Sequence, residues 1–191
     1  MNARMTAPAA ARNRDAILAV LRAHLPPTGF LLEIASGTGV HAAHFATNLP
    51  DWRIQPSDPV AERRASINAW CAELANVIPA LALDATQEWP IAQVDAVLCC
   101  NMIHIAPWEA TLGLLRNAAR LGALLILYGP YFQDDVLTAP SNRAFDTDLR
   151  ARDPRWGLRR LEDVVAAAVG YSVAAVEVMP ANNLCVVLRR S

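Results

Sequence analysis

The residues best suited to chemistry follow a short apolar stretch near the start of the chain. Residues 31–39 read Leu-Leu-Glu-Ile-Ala-Ser-Gly-Thr-Gly, where an apolar run carries the acid Glu33 and ends in a tight glycine loop. Glycine permits positive φ and close approach of the backbone to a ligand, so the loop indicates a nucleotide-type cofactor site. The stretch from Gly37 to Ala42 also fits the G-x-G-x-x-G/A fingerprint of dinucleotide-binding folds.

The apolar runs further along the chain also end in polar residues. They are Asp58, Asp84, Asn101 and Tyr128. Ligands of open α/β sheets bind beyond the carboxyl ends of the strands, so we expect these side chains to share one sheet edge with Glu33. That row has acids and an amide but no basic residue. In a dinucleotide site Asp58 would bind ribose hydroxyls, so nicotinamide binding is a rival interpretation.

Apolar periodicity predicts the elements that position this edge. Two late runs, 172–178 and 184–189, are joined only by Met-Pro-Ala-Asn-Asn. So short a link cannot hold a crossover helix, and the two strands must be antiparallel. We predict an α/β fold, a three-layer α/β/α sandwich with a mostly parallel seven-stranded sheet and a C-terminal antiparallel hairpin. The other predicted strands are 30–34, 52–55, 80–83, 94–100 and 123–128, and the predicted helices are 12–25, 40–48, 60–75, 108–120 and 159–169.

Length and composition bound the domain count and the partners. A chain of 191 residues fits one domain, placed at residues 12–191 behind a flexible segment at 1–11. The net charge of −1 gives no basic footprint for nucleic acid. No apolar run is long enough to cross a membrane, and Met1 to Pro8 lacks a signal-peptide core. We therefore predict a cytoplasmic protein with no nucleic-acid or membrane partner.

Several kinds of site are excluded by residue type. The chain has no lysine, which excludes a Schiff-base lysine and a P-loop lysine. Its four cysteines show no Cys-x-x-Cys spacing, so they are expected to be reduced and buried. His41 and His44 are three apart on a predicted helix, but no third ligand with suitable spacing appears, and no metal is predicted.

A polar segment between the fifth run and the final hairpin is the candidate substrate region. Residues 141–156 are dense in charged and amide side chains. We predict an irregular connection, either a solvated loop or a lid over 130–158. Arg150 and Arg152 would suit an anionic or carboxylate-bearing substrate. The candidate substrate-binding residues are Asn142, Arg143, Asp146, Arg150 and Asn182, although Asn182 would also serve as an ordinary turn residue.

The motif around Glu33 resembles that of the class I S-adenosylmethionine-dependent methyltransferases. The family pattern is acid-x-Gly/Ala-x-Gly-x-Gly, and residues 33–39 match it with Ala35 at the first glycine position. The family's sheet also ends in an antiparallel hairpin, so the resemblance covers residues 28–190. It implies S-adenosyl-L-methionine as cofactor, with Asp58 at the ribose, Asp84 at the adenine and Asn101 under the methionine moiety. The implied cofactor-binding set is Glu33, Ala35, Gly37, Thr38, Gly39, Asp58, Asp84, Ala85 and Asn101.

A narrower resemblance points to a small group of methyltransferase-like proteins related to human methyltransferase-like protein 26. It implies the methyl donor but no acceptor. Arg160 departs from the acid that the group usually has there. The shared motifs include Arg12-Asn13, Gln55-Pro56-Ser57-Asp58, Asn101-Met102-Ile103-His104, Trp156-Gly157 and Met179-Pro180-Ala181-Asn182-Asn183.

The acceptor side has three candidate catalytic residues. Methyl transfer from a sulfonium needs in-line approach and exclusion of water, and only some acceptors need a base. His104 could be that base, or a hydrogen-bonded histidine behind the site. Tyr128 and Tyr131 could form the pocket floor or face the sulfonium, and packing alone would also explain Tyr131.

These residues favour an S-adenosylmethionine-dependent methyltransferase that acts on a small-molecule acceptor. The absence of a basic surface argues against duplex nucleic acid as the acceptor. Two alternatives stay open: an NAD(P)-dependent oxidoreductase that uses the same glycine loop, and a non-catalytic S-adenosylmethionine-binding protein. The sequence identifies neither the acceptor nor the oligomeric state.

Overall fold

A computed structural model describes residues 3–191, and Met1 and Asn2 lie outside the described residues. The helices are α1 (Pro8–His24), α2 (Val40–Asn48), α3 (Ala61–Cys71), α4 (Trp108–Leu121), α5 (Pro140–Arg152) and α6 (Leu161–Ala167), with 3₁₀ turns at Met102–His104 and Pro180–Asn182. The strands are β1 (Gly29–Ile34), β2 (Trp52–Pro56), β3 (Ala96–Cys100), β4 (Leu124–Gly129), β5 (Tyr131–Phe132), β6 (Arg159–Arg160), β7 (Tyr171–Met179) and β8 (Asn183–Arg190).

The main sheet has the strand order β2-β1-β3-β4-β8-β7. The first four strands are parallel, whereas β8 is antiparallel to both β4 and β7. This arrangement confirms the predicted α/β fold with a mostly parallel sheet and a C-terminal antiparallel hairpin. Because β1, β3 and β4 are parallel, their carboxyl ends lie at one edge, where the predicted site residues begin.

The prediction of a seventh strand at 80–83 is wrong. The chain does run beside β2, but it forms only two isolated parallel bridges, Ile54 with Val77 and Ser57 with Leu81. A proline lies between the two bridges, and proline has no N–H to donate to a ladder. The main sheet therefore has six strands, and a short extended segment takes the place of the seventh.

Apolar side chains are buried on both faces of the sheet. One cluster joins the sheet to α1 and α2 through Ile17 and Phe45, and the other packs α4 and α6 onto the opposite face through Leu114 and Val164. Strands covered on both faces read as continuous apolar runs rather than alternating ones, as β4 does. Among residues 3–191, no helix has both the length and the apolar composition needed to span a bilayer.

Several segments differ from their sequence-based boundaries. Residues 141–156 were expected to be irregular, but most of them form α5, which begins with Pro140 in its first turn, where proline is well tolerated. The predicted helix 159–169 is shorter, because Arg159 and Arg160 pair with β5 as β6 before α6 begins. Helix α1 already starts at Pro8, and the flexibility of residues 1–11 stays a prediction.

Candidate functional site

The glycine loop joins β1 to α2 in a conformation that requires small residues. Gly37 and Gly39 have φ of 59° and 89°. A Cβ atom on Gly39 would lie 2.6 Å from Cα of Ile67, so α3 packs directly on the loop. Ala35 also has a positive φ, 53°, which costs a residue other than glycine free energy. The one departure from the family's glycine pattern is thus a point of backbone strain.

The loop is tied to α3 and to the segment before α1. The Ser66 hydroxyl donates to the carbonyl oxygen of Thr38 at 2.7 Å. The backbone N–H of Met5 donates to the oxygen of that same hydroxyl at 2.8 Å. A continuous chain of hydrogen bonds therefore runs from the amino-terminal segment to the glycine loop.

Asp58 holds the glycine loop from below. Its side chain is fully buried. One carboxylate oxygen accepts from the Gly37 N–H at 3.1 Å, and the other accepts from the Val60 N–H at 3.0 Å. Nη1 of Arg63 lies 3.8 Å from Oδ2 of Asp58. Each carboxylate oxygen has a second lone pair, so the ribose-binding role stays a prediction, and the contact made here is with the loop.

Glu33 is a buried acid without a full set of partners. Its side chain lies at the end of β1, and Oε2 has no hydrogen-bond partner. Burial, with a smaller contribution from the charge of Asp58, raises the pKa of Glu33 to about 7. An unpaired carboxylate inside a protein is costly. A cationic ligand group beside Oε2 would supply the missing partner.

His41 and Cys100 lie next to this acid. Nδ1 of His41 is 3.9 Å from Oε1 of Glu33, and its Nε2 is 2.8 Å from Oδ1 of Asn13 on α1. Burial lowers the pKa of His41 to about 4 and raises that of the Cys100 thiol, so neither group carries charge near neutral pH. Within residues 3–191, Glu33, His41 and Cys100 each offer one ligand atom, all within 4.8 Å of one another. The group can accept one cation, either a metal ion or an ammonium.

Asp84 and Ala85 lie in a turn at the same sheet edge. Oδ1 of Asp84 accepts from the backbone N–H and the hydroxyl of Thr86, each at 2.8 Å. Helix α4 packs closely here, since a Cβ atom on Gly113 would lie 2.1 Å from the Ala85 carbonyl oxygen. The turn is therefore firmly placed, and the role of Asp84 at an adenine stays a prediction.

Asn101 and Tyr128 open onto a cavity of about 590 Å³. Asn101 follows β3 with φ of 63°, and its N–H donates to the carbonyl oxygen of Tyr128 at 2.8 Å. Burial raises the pKa of Tyr128, whose side-chain partner is Asn13, so the hydroxyl remains protonated. A cavity of this size is typical of small-molecule sites.

Helix α5 and the hairpin turn form another part of the cavity wall. Asn142 and Asn182, both predicted to bind substrate, line it. The Asn142 amide donates to the Asn182 carbonyl oxygen at 2.9 Å, which links the helix to the turn. Phe145 and Arg152 also line the cavity; Arg152 was predicted to suit an anionic substrate, whereas Phe145 was not among the predicted site residues. The spacing of 142, 145, 149 and 152 is helical, and recognising that helix would have identified them.

Three other predicted substrate residues lie away from this cavity. Arg143 is on the exposed surface of α5. Asp146 accepts from Nε of Arg150 at 2.8 Å and from the N–H of Leu158 at 2.8 Å. A Cβ atom on Gly157 would lie 2.7 Å from Nη2 of Arg150 and 2.7 Å from Oδ1 of Asp146. Asp146 and Arg150 thus hold the chain that follows α5.

His104 and Tyr131 are buried behind the cavity wall. His104 is fully buried, and burial with the nearby Arg159 lowers its pKa to about 3. Its Nδ1 accepts from the Arg159 N–H at 3.3 Å, and its ring packs edge-on to Tyr131 with centroids 4.9 Å apart. The Tyr131 hydroxyl has no partner. Neither residue lines the cavity. Neither can therefore contact a ligand bound there, as the predicted catalytic roles require.

Solved methyltransferase structures share this fold. The mitomycin 7-O-methyltransferase MmcR superposes with a TM-score of 0.80 at 18% identity, covering 96% of this chain and 54% of its own. An O-methyltransferase family 2 protein from Planctomyces limnophilus, solved with apigenin, gives 0.78 at 18% identity, covering 96% and 58%. CalO1, a methyltransferase of calicheamicin biosynthesis solved in its SAH-bound form, gives 0.74 at 16% identity, covering 93% and 54%. The chain spans little more than half the length of these proteins.

At such low identity the likeness establishes the fold alone. The family is shown instead by a sequence match, which covers residues 4–190, almost the whole chain. The chain therefore belongs to the family described as protein of unknown function, DUF938, and its fold is similar to that of these solved methyltransferases.

Proposed function

We propose that the protein is an S-adenosylmethionine-dependent methyltransferase that acts on a small molecule. The observation that carries the proposal is the unpaired, buried Oε2 of Glu33. It lies at the end of β1, directly before the glycine loop. The methionine end of the cofactor has an ammonium group, which would neutralise this acid. The methyltransferase neighbours support the same assignment through the fold, and the one with apigenin supports a small-molecule acceptor.

The chain's own residues would bind and orient the two ligands. When bound, S-adenosylmethionine supplies a methyl group on a sulfonium cation. Glu33 would bind the ammonium, and the backbone at Gly37 and Gly39 would lie along the amino-acid end. Asn101 follows Cys100, the neighbour of Glu33, and lines the cavity together with Tyr128. The cavity would hold the acceptor in position for transfer.

Within residues 3–191, no side chain that lines the cavity is suited to act as a general base. Among the described residues that line it, the titratable ones are Tyr128 and Arg152. The raised pKa of Tyr128 keeps its hydroxyl protonated, and arginine remains protonated in proteins. The acceptor must therefore bring its own lone pair, as an amine, a thiolate or an ionised oxygen does.

A thermal-shift experiment tests the cofactor assignment. At a hundredfold excess over its dissociation constant, a ligand stabilises a protein by about 2.7 kcal/mol, or roughly 5–11 °C in Tm for a domain of this size. S-adenosylhomocysteine and S-adenosylmethionine should each raise Tm, and NAD(H) should leave it unchanged. A shift with NAD(H) alone would favour the oxidoreductase instead.

Turnover separates an enzyme from a non-catalytic binding protein. Methyl transfer from labelled S-adenosylmethionine to metabolite pools should be detectable with the native chain and lost in Glu33→Gln. Cofactor binding without transfer to any pool would support the binding protein. Membership of the group related to human methyltransferase-like protein 26 belongs to this proposal, supported by the motifs around Asn101 and Asn182.

A further inference from the structure

We infer that the cavity beside Asn101 binds a small acceptor that carries a carboxylate or similar anionic group, held by Arg152. This inference rests on the proposed function, because it identifies the cavity as the acceptor site. It separates Arg152 from Arg150, which look equivalent in the sequence. Arg150 is bonded to Asp146 away from the cavity, whereas Arg152 forms part of its wall.

The first observation behind the inference is the charge of the residues that line the cavity. Among the described residues around the cavity, Arg152 alone is charged at neutral pH, and none is an acid. Asparagine amides and apolar side chains form the remainder, including Asn142, Phe145 and Leu149. A ligand cation would find no counter-ion here, whereas an anion would find one guanidinium. The apolar side chains fit an organic body rather than an inorganic ion.

The second observation behind the inference is that Arg152 makes only weak interactions in this structure. Its Nη1 lies 3.9 Å from Oδ2 of Asp148, and the two side chains are 58% and 63% exposed. Exposed pairs of this kind contribute little to stability. The guanidinium also lies over the Trp156 ring, 5.2 Å from its centroid, which restricts its position without using its hydrogen-bond donors. A ligand carboxylate could therefore replace Asp148 and form a bidentate pair.

Matched probes test the charge preference. Binding of 4-hydroxybenzoate, benzoate and indole-3-carboxylate would be measured by calorimetry with S-adenosylhomocysteine present, beside the uncharged amide of each. At least one acid should bind about tenfold or more tightly than its amide. Arg152→Gln should abolish that preference, and Arg152→Lys should retain part of it. Arg143→Gln removes a charge from the same helix outside the cavity and should leave the preference unchanged.

The outcomes separate this inference from the proposed function. Equal binding of each acid and its amide, no binding of any acid, or an equal loss in Arg143→Gln and Arg152→Gln would overturn the inference. The same preparations are titrated with S-adenosylhomocysteine alone, and Arg152→Gln should bind it as the native chain does. Failure of that titration in the native chain would instead contradict the methyltransferase proposal.

Discussion

At the scale of single residues, the site is built around two positions that are unfavourable without a ligand or a different side chain. Glu33 is a buried acid with one unpaired oxygen, and Ala35 has left-handed backbone geometry. Both lie in the strand and loop that approach the expected cofactor. Such costs persist where function requires them.

The ionisation of Glu33 should make cofactor binding depend on pH. Its pKa is raised to about 7, and only the ionised form can pair with an ammonium. Below pH 7, binding must release a proton, so affinity for S-adenosylhomocysteine should rise by up to about tenfold per pH unit and level off above pH 7. Calorimetry between pH 5.5 and 8 measures this.

Glu33→Gln is the matched test of that dependence. It should bind more weakly and lose the pH dependence, whereas Glu73→Gln, on an exposed acid of the surface, should behave as the native chain does. An unchanged pH profile in Glu33→Gln would disprove the assigned role.

Relief of strain at Ala35 should be measurable as stability. Left-handed geometry costs about 1–2 kcal/mol for a residue other than glycine, and the added freedom of glycine in the unfolded chain offsets about 0.5–1 kcal/mol. Ala35→Gly should therefore raise the free energy of unfolding by about 0.5–1 kcal/mol in urea titrations. Ala43→Gly, in the helical geometry of α2, should lower it by about 1 kcal/mol. A loss at both positions would argue against strain at Ala35.

At the scale of elements, the end of β4 and helix α5 separate the cavity from what lies behind it. Helix α5 presents Asn142 and Arg152 to the cavity while Asp146 holds the N–H of Leu158 on another side. Gly129 ends β4 directly against His104 and Asn101. One helix and one strand end thus set both the cavity wall and the histidine behind it.

The closeness of β4 to His104 predicts a sensitive glycine. A Cβ atom on Gly129 would lie 2.5 Å from Nε2 of His104 and 3.2 Å from Oδ1 of Asn101. Gly129→Ala should destabilise the protein by about 2–3 kcal/mol, because a packed interior must shift to admit the methyl group. At Gly122 an added Cβ meets no atom within 4 Å, so Gly122→Ala should cost only the left-handed backbone term, about 1 kcal/mol. Equal losses in the two variants by chemical denaturation would refute the close contact.

At the scale of the whole molecule, three buried groups link folding to proton uptake. The pKa values of His41 and His104 fall to about 4 and about 3, from 6.5, and that of Glu33 rises to about 7, from 4.5. Between pH 4.5 and 6.5 the unfolded chain holds a proton on each histidine, while the folded chain holds one on Glu33. The unfolded state thus binds one more proton from these groups, and stability should increase with pH in that window.

The expected slope is about 1.4 kcal/mol per pH unit. Glu33→Gln removes the proton that the folded state holds on Glu33. The substitution should therefore roughly double the slope, as measured by denaturant midpoints at pH 5 and 6. A slope that is unchanged in Glu33→Gln would show that the folded state does not hold that proton.

How much could be read from the sequence depended on how regular each element is. The parallel part of the sheet was predictable because strands covered on both faces give continuous apolar runs, as 124–129 does, and the final hairpin was predictable because only a short link joins its two apolar runs. Helix α5 was missed because one of its faces lines a cavity with amides and an arginine, so apolar periodicity was absent. The glycine loop with Glu33 was found from its local motif. Asn13 was not placed there, because only the fold brings α1 to it.

The chain of hydrogen bonds from Met5 through Ser66 to Thr38 has a practical consequence for handling the protein. A purification tag placed directly before Met5 would begin two hydrogen bonds from the glycine loop. The carboxyl terminus follows β8, which runs antiparallel to β4 and ends at the opposite edge of the sheet. A tag after Ser191 should therefore leave S-adenosylhomocysteine binding intact, and removal of residues 1–13 should weaken it while the sheet remains folded by circular dichroism.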